Sequence, residues 1–528
     1  MSKKALLPLV IILSATLFFS FVENTEGPKE IYAKTISAKD LKTHLSVIAS
    51  DKYEGRETGK KGQHMTAEYL SNQFRQFGIP ELATGGYYQN VPLIQLTAGE
   101  GTVKTSTQSF LFGKDFYYTN SNENQQLKFT DIVFSGYGIQ DSLFRDYDKS
   151  DLGGKAVMII ADEPIDKNGK SLISRTKENS IWTTSRGKKT SEAKKHNAGA
   201  LLIAVADFQK HYEQVKKYIT SPSLRLDNPN KMKGEQEMPV IYISFEMANS
   251  ILKEGKQKTT IEKAISKTLK KNSAPHFTFS QQLDLSITIK TEKINSENVL
   301  GYLEGSDLKN ELVVVTAHMD HLGKTGDVVY NGADDDGSGT VSVLEIAEAF
   351  SIAKKDGHGP RRSILFMLVT GEEKGLLGSK WYTDNPVFPL GSTVCDLNID
   401  MIGRIDPAHK SDSNYVYVIG SDKISTELKK INEENNKKYI GLLLDYRYDV
   451  PNEPNNFYGR SDHYNFAKNN IPIAFFFNGV HSDYHKETDE VSKINFSLME
   501  KRARLVYYDC WDIANRDQRL PLDVKTSK

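Results

Sequence analysis

Strands alternating with helices over residues 283–518 predict an α/β fold, a mostly parallel mixed sheet with helices on both faces. Unbroken aliphatic runs such as residues 312–315 read as buried strands. Helical spacing follows, with Val343, Ile346, Ala347 and Phe350 on one face. Acidic and imidazole residues then fall where the strands end, and an open α/β sheet keeps its ligands beyond the carboxyl ends of its strands.

The 528 residues leave room for two or more domains. The 68 basic and 68 acidic residues cancel, so the basic excess of a nucleic-acid partner is missing. Mean hydropathy of −0.48 describes ordinary polar surfaces around a core. Cys395 and Cys510 cannot make a disulfide framework; both lie in apolar patterns, as buried thiols do, and one bridge between them stays open.

Taken in order, residues 1–23 read as a signal peptide or N-terminal anchor. Lys3 and Lys4 precede an apolar run at 5–22, long enough to stay uncleaved and lacking a small-x-small cleavage site. The body is therefore expected to be secreted or periplasmic, touching a membrane only through that segment. Residues 24–100 form the N-terminal helical part of the main domain. Ser37 with Asp40 resembles a capping box and opens a helix whose apolar face is Leu41, Leu45 and Ile48. The loop SDKYEGRETGKKG leads to a second helix at 64–77, stopped by Gly78 and Pro80. With no sheet of their own nearby, both helices are expected on the later α/β core.

Residues 101–282 change texture to short strands and turns. FTDIVFSGYGI, GGKAVMIIADEP, AGALLIAVAD and MPVIYISFEMA are β-type segments, and residues 192–197 are helical. No acid–histidine cluster occurs between residues 157 and 201, which predicts an inserted domain without chemistry of its own. The lysine-rich stretch 253–271, with Ile261, Ala264, Ile265 and Leu269 at helical spacing, reads as a solvated helix rather than an anion site. The α/β part, 283–518, has strands at 299–303, 312–317, 364–370, 393–399, 415–419 and 473–477. Its helices lie at 338–353, 423–437 and 498–515. A charged tail at 519–528 is expected to be loose.

Five places at strand ends carry chemistry: His318, the run Asp334 to Asp336, Glu372 with Glu373, Asp400, and His485. Each alone has a bland reading, as a surface charge, a turn or a structurally satisfied histidine. Together, at successive strand ends, they predict a metal site, because crowded carboxylates need a cation. Nitrogen and carboxylate donors without thiolate suit zinc, with manganese or cobalt as substitutes. One of two adjacent glutamates can bind metal while its neighbour takes a proton from a metal-activated water. Asp320, two residues from His318, is placed to accept the other imidazole N–H.

In order, AHMDHLG, NGADDDGSG, GEEKGLLGS, NIDMIG, GRSDHYNF and DYHKETD resemble the signatures of the co-catalytic zinc aminopeptidase family. That family also includes glutamate carboxypeptidase and the catalytically dead transferrin receptor. The resemblance covers residues 283–515 and, more loosely, EGRETGKKG. SGYGI, DYDKSDLGGKAVMII and KKHNAGALLIAV resemble the protease-associated domain inserted in several secreted exopeptidases, although generic α+β inserts share such glycine turns.

The resemblance implies a zinc exopeptidase fold, two zinc ions per chain as a bridged pair, and peptide substrates. Asp334 would bridge the ions, with His318 and Asp400 completing one and Glu373 and His485 the other. Glu372 would be the general base of a metal-bound hydroxide mechanism. Asp320, Asp335 and Asp462 would stand behind the ligands, and a cis peptide would fall at Asp334–Asp335. Tyr458 matches a tyrosine that stabilises the oxyanion in some members, with Tyr484 nearby. Aminopeptidase is the first expectation. A carboxypeptidase for acidic C-terminal peptides would keep the same ligands and need pocket arginines, for which Arg404, Arg447 and Arg460 are available. Glutaminyl cyclases share the fold but use one zinc and other ligands. A non-catalytic receptor is expected to lose ligands, and all five are present. The insert is expected to shape or lid the cleft.

Overall fold

The computed structural model describes residues 26–524 apart from 120–121, 143, 148–151, 186 and 229–236. The expected signal or anchor at 1–23 lies outside them. No helix among the described residues is long and apolar enough to cross a membrane.

Two sheets organise the chain. The first has nine strands in the order Leu443–Asp445, Tyr415–Ile419, Ile473–Phe477, Thr393–Ile399, Leu308–His318, Arg362–Val369, Ile289–Leu303, Tyr88–Ala98 and Ser223–Leu226. Its centre, from Ile473–Phe477 to Arg362–Val369, is parallel. Three of these strands are buried along their whole length and Leu308–His318 is buried from Leu312 onward, as strands covered on both faces must be.

Alternate side chains feed opposite layers. Val313 and Val315 join Leu41, Leu45, Leu70, Phe74, Ile346, Phe350 and Val506 on one face. Leu312 and Val314 join Leu365, Met367, Tyr382 and Phe466 on the other. Each such fully buried side chain stabilises the fold by about 1.5–3 kcal/mol. The early helices Ala38–Ile48 and Lys61–Phe77 belong to the first layer. Ser37 caps the former by accepting the Asp40 amide, and Gly78 ends the latter at φ +80.

The second sheet lies within the insert, in the order Ser109–Phe110, Thr102–Lys104, His276–Ile287, Gln125–Ser135, Ala156–Ile160, Ala200–Val205, Val240–Ser244 and Phe116–Thr119. His276–Ile287 belongs to this sheet, so the boundary expected at 282/283 moves to the start of Ile289–Leu303. Ser223–Leu226, although inside the insert by sequence, pairs with Tyr88–Ala98 in the first sheet.

The insert is carried on a ribbon. Tyr88–Ala98 and Ile289–Leu303 pair from Tyr88↔Val299 to Ala98↔Ile289. Val299 is level with Leu368, near the carboxyl end of its neighbour, so residues 289–298 run beyond the sheet on the side where the site residues gather. Ten residues at about 3.4 Å each carry the ribbon roughly 34 Å outward.

Residues 519–524 depart from the loose tail expected. An Arg519 guanidinium donates to the carbonyls of Gly391 and Thr393, Leu520 is buried, and Asp523 accepts the Thr426 amide. Both cysteines are buried free thiols.

Candidate metal centre

Four parallel strands deliver the site at their carboxyl ends, as the topology of an open α/β sheet dictates. His318 is the last residue of its strand. Glu372 and Glu373 follow Arg362–Val369, Asp400 follows Thr393–Ile399, and His485 stands in the loop after Ile473–Phe477. The aspartate run lies between the strand ending at His318 and the helix Gly339–Lys355.

Asp335 is common to two donor groups. His318, Asp335 and Asp400 form one, and His321, Asp335 and Glu373 the other. His318 Nε2 is 3.3 Å from Asp335 Oδ1 and 3.7 Å from Asp400 Oδ1. His485 Nε2 is 3.1 Å from Asp335 Oδ2 and 3.3 Å from Glu373 Oε2. Glu372 belongs to neither group, and its Oε2 stands 3.8 Å from His318 Nε2.

The aspartate common to both groups is therefore Asp335, not Asp334, where the bridge was expected. Asp334 turns inward: its carboxylate accepts the Gly403 amide and the Ser338 hydroxyl and lies 3.1 Å from His481 Nε2. Asp336 also turns inward, accepting the amides of His318, Gly339 and Met401. Its bond to Gly339, three residues on, is the spacing of a helix-capping carboxylate. That spacing is the sequence signal that could have resolved three identical neighbours. The cis peptide is Asp335–Asp336, not Asp334–Asp335.

Asp320 supports the site differently from expectation. His318 Nδ1 donates to the Asp320 main-chain carbonyl at 3.0 Å, while the carboxylate is 3.9 Å away. That carboxylate accepts the Thr58 hydroxyl and the Glu372 amide, so it holds the glutamate loop. Asp462 accepts from Ser379, and its buried second oxygen has no hydrogen-bond partner.

Tyr458 does not face the cleft. Its ring packs beside His463 and Tyr464 under Lys423, and burial pushes its hydroxyl up to about 12. Tyr484 lines the cleft instead, stacking on the His485 ring at 3.8 Å and accepting from Arg460 at 3.1 Å. Phe457, Phe475, Phe477, Met401 and Val480 make the apolar wall. Of the three arginines considered, Arg460 alone lines this cleft; Arg404 is tied to Asp483 and Arg447 to Asp445.

His321 is a functional neighbour that sequence reasoning passed over. Its Nδ1 is 2.8 Å from Glu373 Oε1, and its buried Nε2 has no partner. The second histidine of AHMDHLG was the available signal.

The loops are fixed from behind by Arg56, from the EGRETGKKG segment. This fully buried guanidinium donates to the carbonyls of Ile48, Met319, Asn331 and Gly332. Asp489 accepts the amides of both Asp334 and Asp335, fixing the backbone that presents the shared carboxylate.

Electrostatics express the crowding. Burial alone disfavours a charged His318, but Glu372, Asp400 and Asp335 override it, and its pKa lies well above the ordinary histidine value. Glu372 is held well above the carboxylate range by burial, opposed by His318 and reinforced by Asp400, Glu373 and Asp462. Burial and Asp335 push Glu373 upward, yet bonds from His321 and His485 bring it down to about 2. The donor chemistry fits zinc: imidazole and carboxylate atoms converge, no thiolate takes part, and one carboxylate spans both groups.

Two donor groups sharing one aspartate at the carboxyl ends of a mixed α/β sheet make a candidate two-metal site. Residues 298–508 match the sequence model of Peptidase family M28. Leucine aminopeptidase 2 of Trichophyton equinum is 26% identical over 278 residues, 47% of this chain and 51% of that protein. Leupeptin-inactivating enzyme 1 of Streptomyces exfoliatus is 27% identical over 237 residues, 41% and 48% of the two chains. The chain thus spans about half the length of the curated relatives it matches. The aminopeptidase from Aneurinibacillus sp. strain AM-1 shares the fold, at a TM-score of 0.51 and 18% identity over 95% of this chain and 98% of that one.

Proposed function

We propose that this chain is an extracytoplasmic di-zinc aminopeptidase. The observation that carries the reading is Asp335, whose two oxygens serve two donor groups while Glu372 stays outside both. His318 and Asp400 would hold one zinc, Glu373 and His485 the other, and Asp335 both. Bound zinc would polarise the scissile carbonyl and acidify water. Glu372, held outside both donor groups, would take a proton from the attacking water and deliver it to the leaving amine. His321 donates to Glu373 Oε1 and would steady that carboxylate as a metal ligand. Arg460 and Tyr484 offer hydrogen-bond donors to substrate oxygens at the cleft wall.

The apolar wall of Phe457, Phe475, Phe477, Met401 and Val480 favours substrates with an apolar N-terminal residue. It also weighs against the acidic carboxypeptidase reading, which has only Arg460 in the cleft to support it. Five ligands and a separate base argue against a one-zinc cyclase. The extracytoplasmic setting rests on Lys3, Lys4 and the apolar run after them. The insert, carried on the ribbon to the active-site side, would limit the length of peptide admitted.

The test couples zinc content to hydrolysis of leucyl and C-terminal glutamyl substrates. Two equivalents of zinc, hydrolysis of the leucyl substrate, and its loss in Glu372→Gln with zinc still bound are expected. One equivalent or none in active enzyme, or preference for the glutamyl substrate, would overturn the reading.

A further inference from the structure

The loop carrying Glu372 and Glu373 is gripped at both ends by one buried amide. Asn298, with no exposed surface, accepts the Thr370 N–H through Oδ1 at 3.1 Å. Through Nδ2 it donates to the Gly378 carbonyl at 3.0 Å. Thr370 and Gly378 are also the residues where the loop closes on itself, the Gly378 amide donating to the Thr370 carbonyl at 2.8 Å. The fit leaves no slack: a Cβ at Gly378 would lie 2.3 Å from the Thr370 oxygen and 2.4 Å from Asn298 Oδ1.

Asn298 sits in the ribbon that bears the insert. Its Nδ2 also donates to Gln89 Oε1 on the partner strand at 3.0 Å, and Gln89 donates onward to the Asn385 carbonyl, just past the helix Leu377–Asp384. Ser296, two residues away, hydrogen-bonds the Thr370 hydroxyl at 2.7 Å. Both strands of the ribbon are thus fastened to the glutamate loop and to the helix that follows it. A buried asparagine serving only its own strand would not need partners on both ends of a neighbouring loop.

We propose that Asn298 is a positioning residue for Glu372 and Glu373, set in turn by Gln89, and that it couples the insert-bearing ribbon to the catalytic loop. The inference rests on the reading that Glu372 is the base and Glu373 a zinc ligand. Removing the clamp leaves the loop ends held only by their own main-chain bonds, so the loop shifts, which would displace the base and loosen one metal while the other, held by His318 and Asp400, would stay.

The experiment uses the full chain with zinc and compares Asn298→Ala, Gln89→Ala and Glu372→Gln. For Asn298→Ala, kcat on a leucyl anilide is expected to fall about 10- to 100-fold with KM within about threefold. One of two zinc equivalents is expected to be lost on dialysis, and amide exchange at residues 370–378 to speed at least tenfold. Gln89→Ala is expected to move the same readouts in the same direction by less than about fivefold. Wild-type kcat, zinc retention and loop exchange in folded Asn298→Ala would overturn the proposal, as would losses explained by a lower folded fraction. If Asn298→Ala does not fold, Gln89→Ala decides on the same readouts. Loop exchange needs no activity, so an active Glu372→Gln would sink the functional reading while leaving the clamp to be judged separately.

Discussion

Both sheets run four strands in parallel and both gather ionisable groups at the carboxyl ends of those strands, yet the groups are arranged to opposite effect. In the insert, Lys189 is buried beyond Ala156–Ile160 and donates to the main-chain carbonyls of Ile160 and Asp162. Asp146 accepts the amides of Tyr137 and Ile139, and Glu163 accepts from Ser180. Each of these groups is engaged by main-chain or hydroxyl partners of neighbouring segments. In the first sheet His318, Asp335, Asp400, Glu373 and His485 point at one another across a cleft. Both donor groups found among the described residues lie there. Topology offers a place for a ligand, and only the direction of the side chains makes it a site.

Metal removal should separate the two regions most sharply. A chelator is expected to abolish peptide hydrolysis, more than about 10³-fold, and zinc to restore it. Asp335→Asn should lose both zinc ions, whereas Asp334→Asn should keep both; elemental analysis after dialysis distinguishes the shared carboxylate from its neighbour. Glu372→Gln should lower kcat by about 10²–10⁴ with metal content unchanged, measured under saturating substrate.

On the insert side, effects should appear in stability. Lys189→Met is expected to cost about 1–3 kcal/mol in denaturant unfolding, because the buried Ile160 carbonyl and the part-buried Asp162 carbonyl lose this donor, with kcat within about twofold of wild type. Asp146→Asn sharpens the contrast further. Burial, opposed by the Ile139 and Tyr137 amides, pushes the Asp146 carboxyl up to about 6. A carboxyl raised in the folded state binds its proton more tightly there, so its favourable contribution is full at low pH and is lost as pH rises towards the folded value. Wild type should therefore lose about 1–2 kcal/mol relative to Asp146→Asn between pH 4 and 7. Parallel stability profiles for the two proteins would contradict this.

The main elements were legible because periodicity and burial agree. Tyr415–Ile419 and Ile473–Phe477 are continuous apolar runs with one solution, and the structure places them, with Thr393–Ile399, at the residues expected. What escaped were choices among equivalents. Three aspartates in a row present one composition and three directions, settled by the amides of Gly403, Gly339 and Met401 contributed from elsewhere. Tyr458 and Tyr484 both lie near the cleft residues, and only tertiary packing turns the first away. Asp320 shows that a residue can be rightly placed behind a histidine while its backbone, not its carboxylate, meets the ring. The short strand Ser223–Leu226 had no signal of its own, since two leucines alternating with polar residues are common in loops.

That strand has a consequence for how the insert can move. A domain hung on two consecutive strands could swing as a door on one hinge line. Here Leu224 and Leu226 also pack against the cluster of Val91, Leu93 and Leu377, giving the insert a third tether to the first sheet and the helix Leu377–Asp384. Three attachments that do not share one line remove the free rotation that two allow. The insert behaves as a bracket, and excising it would strip Tyr88–Ala98 of its outer partner and expose a raw sheet edge to aggregation.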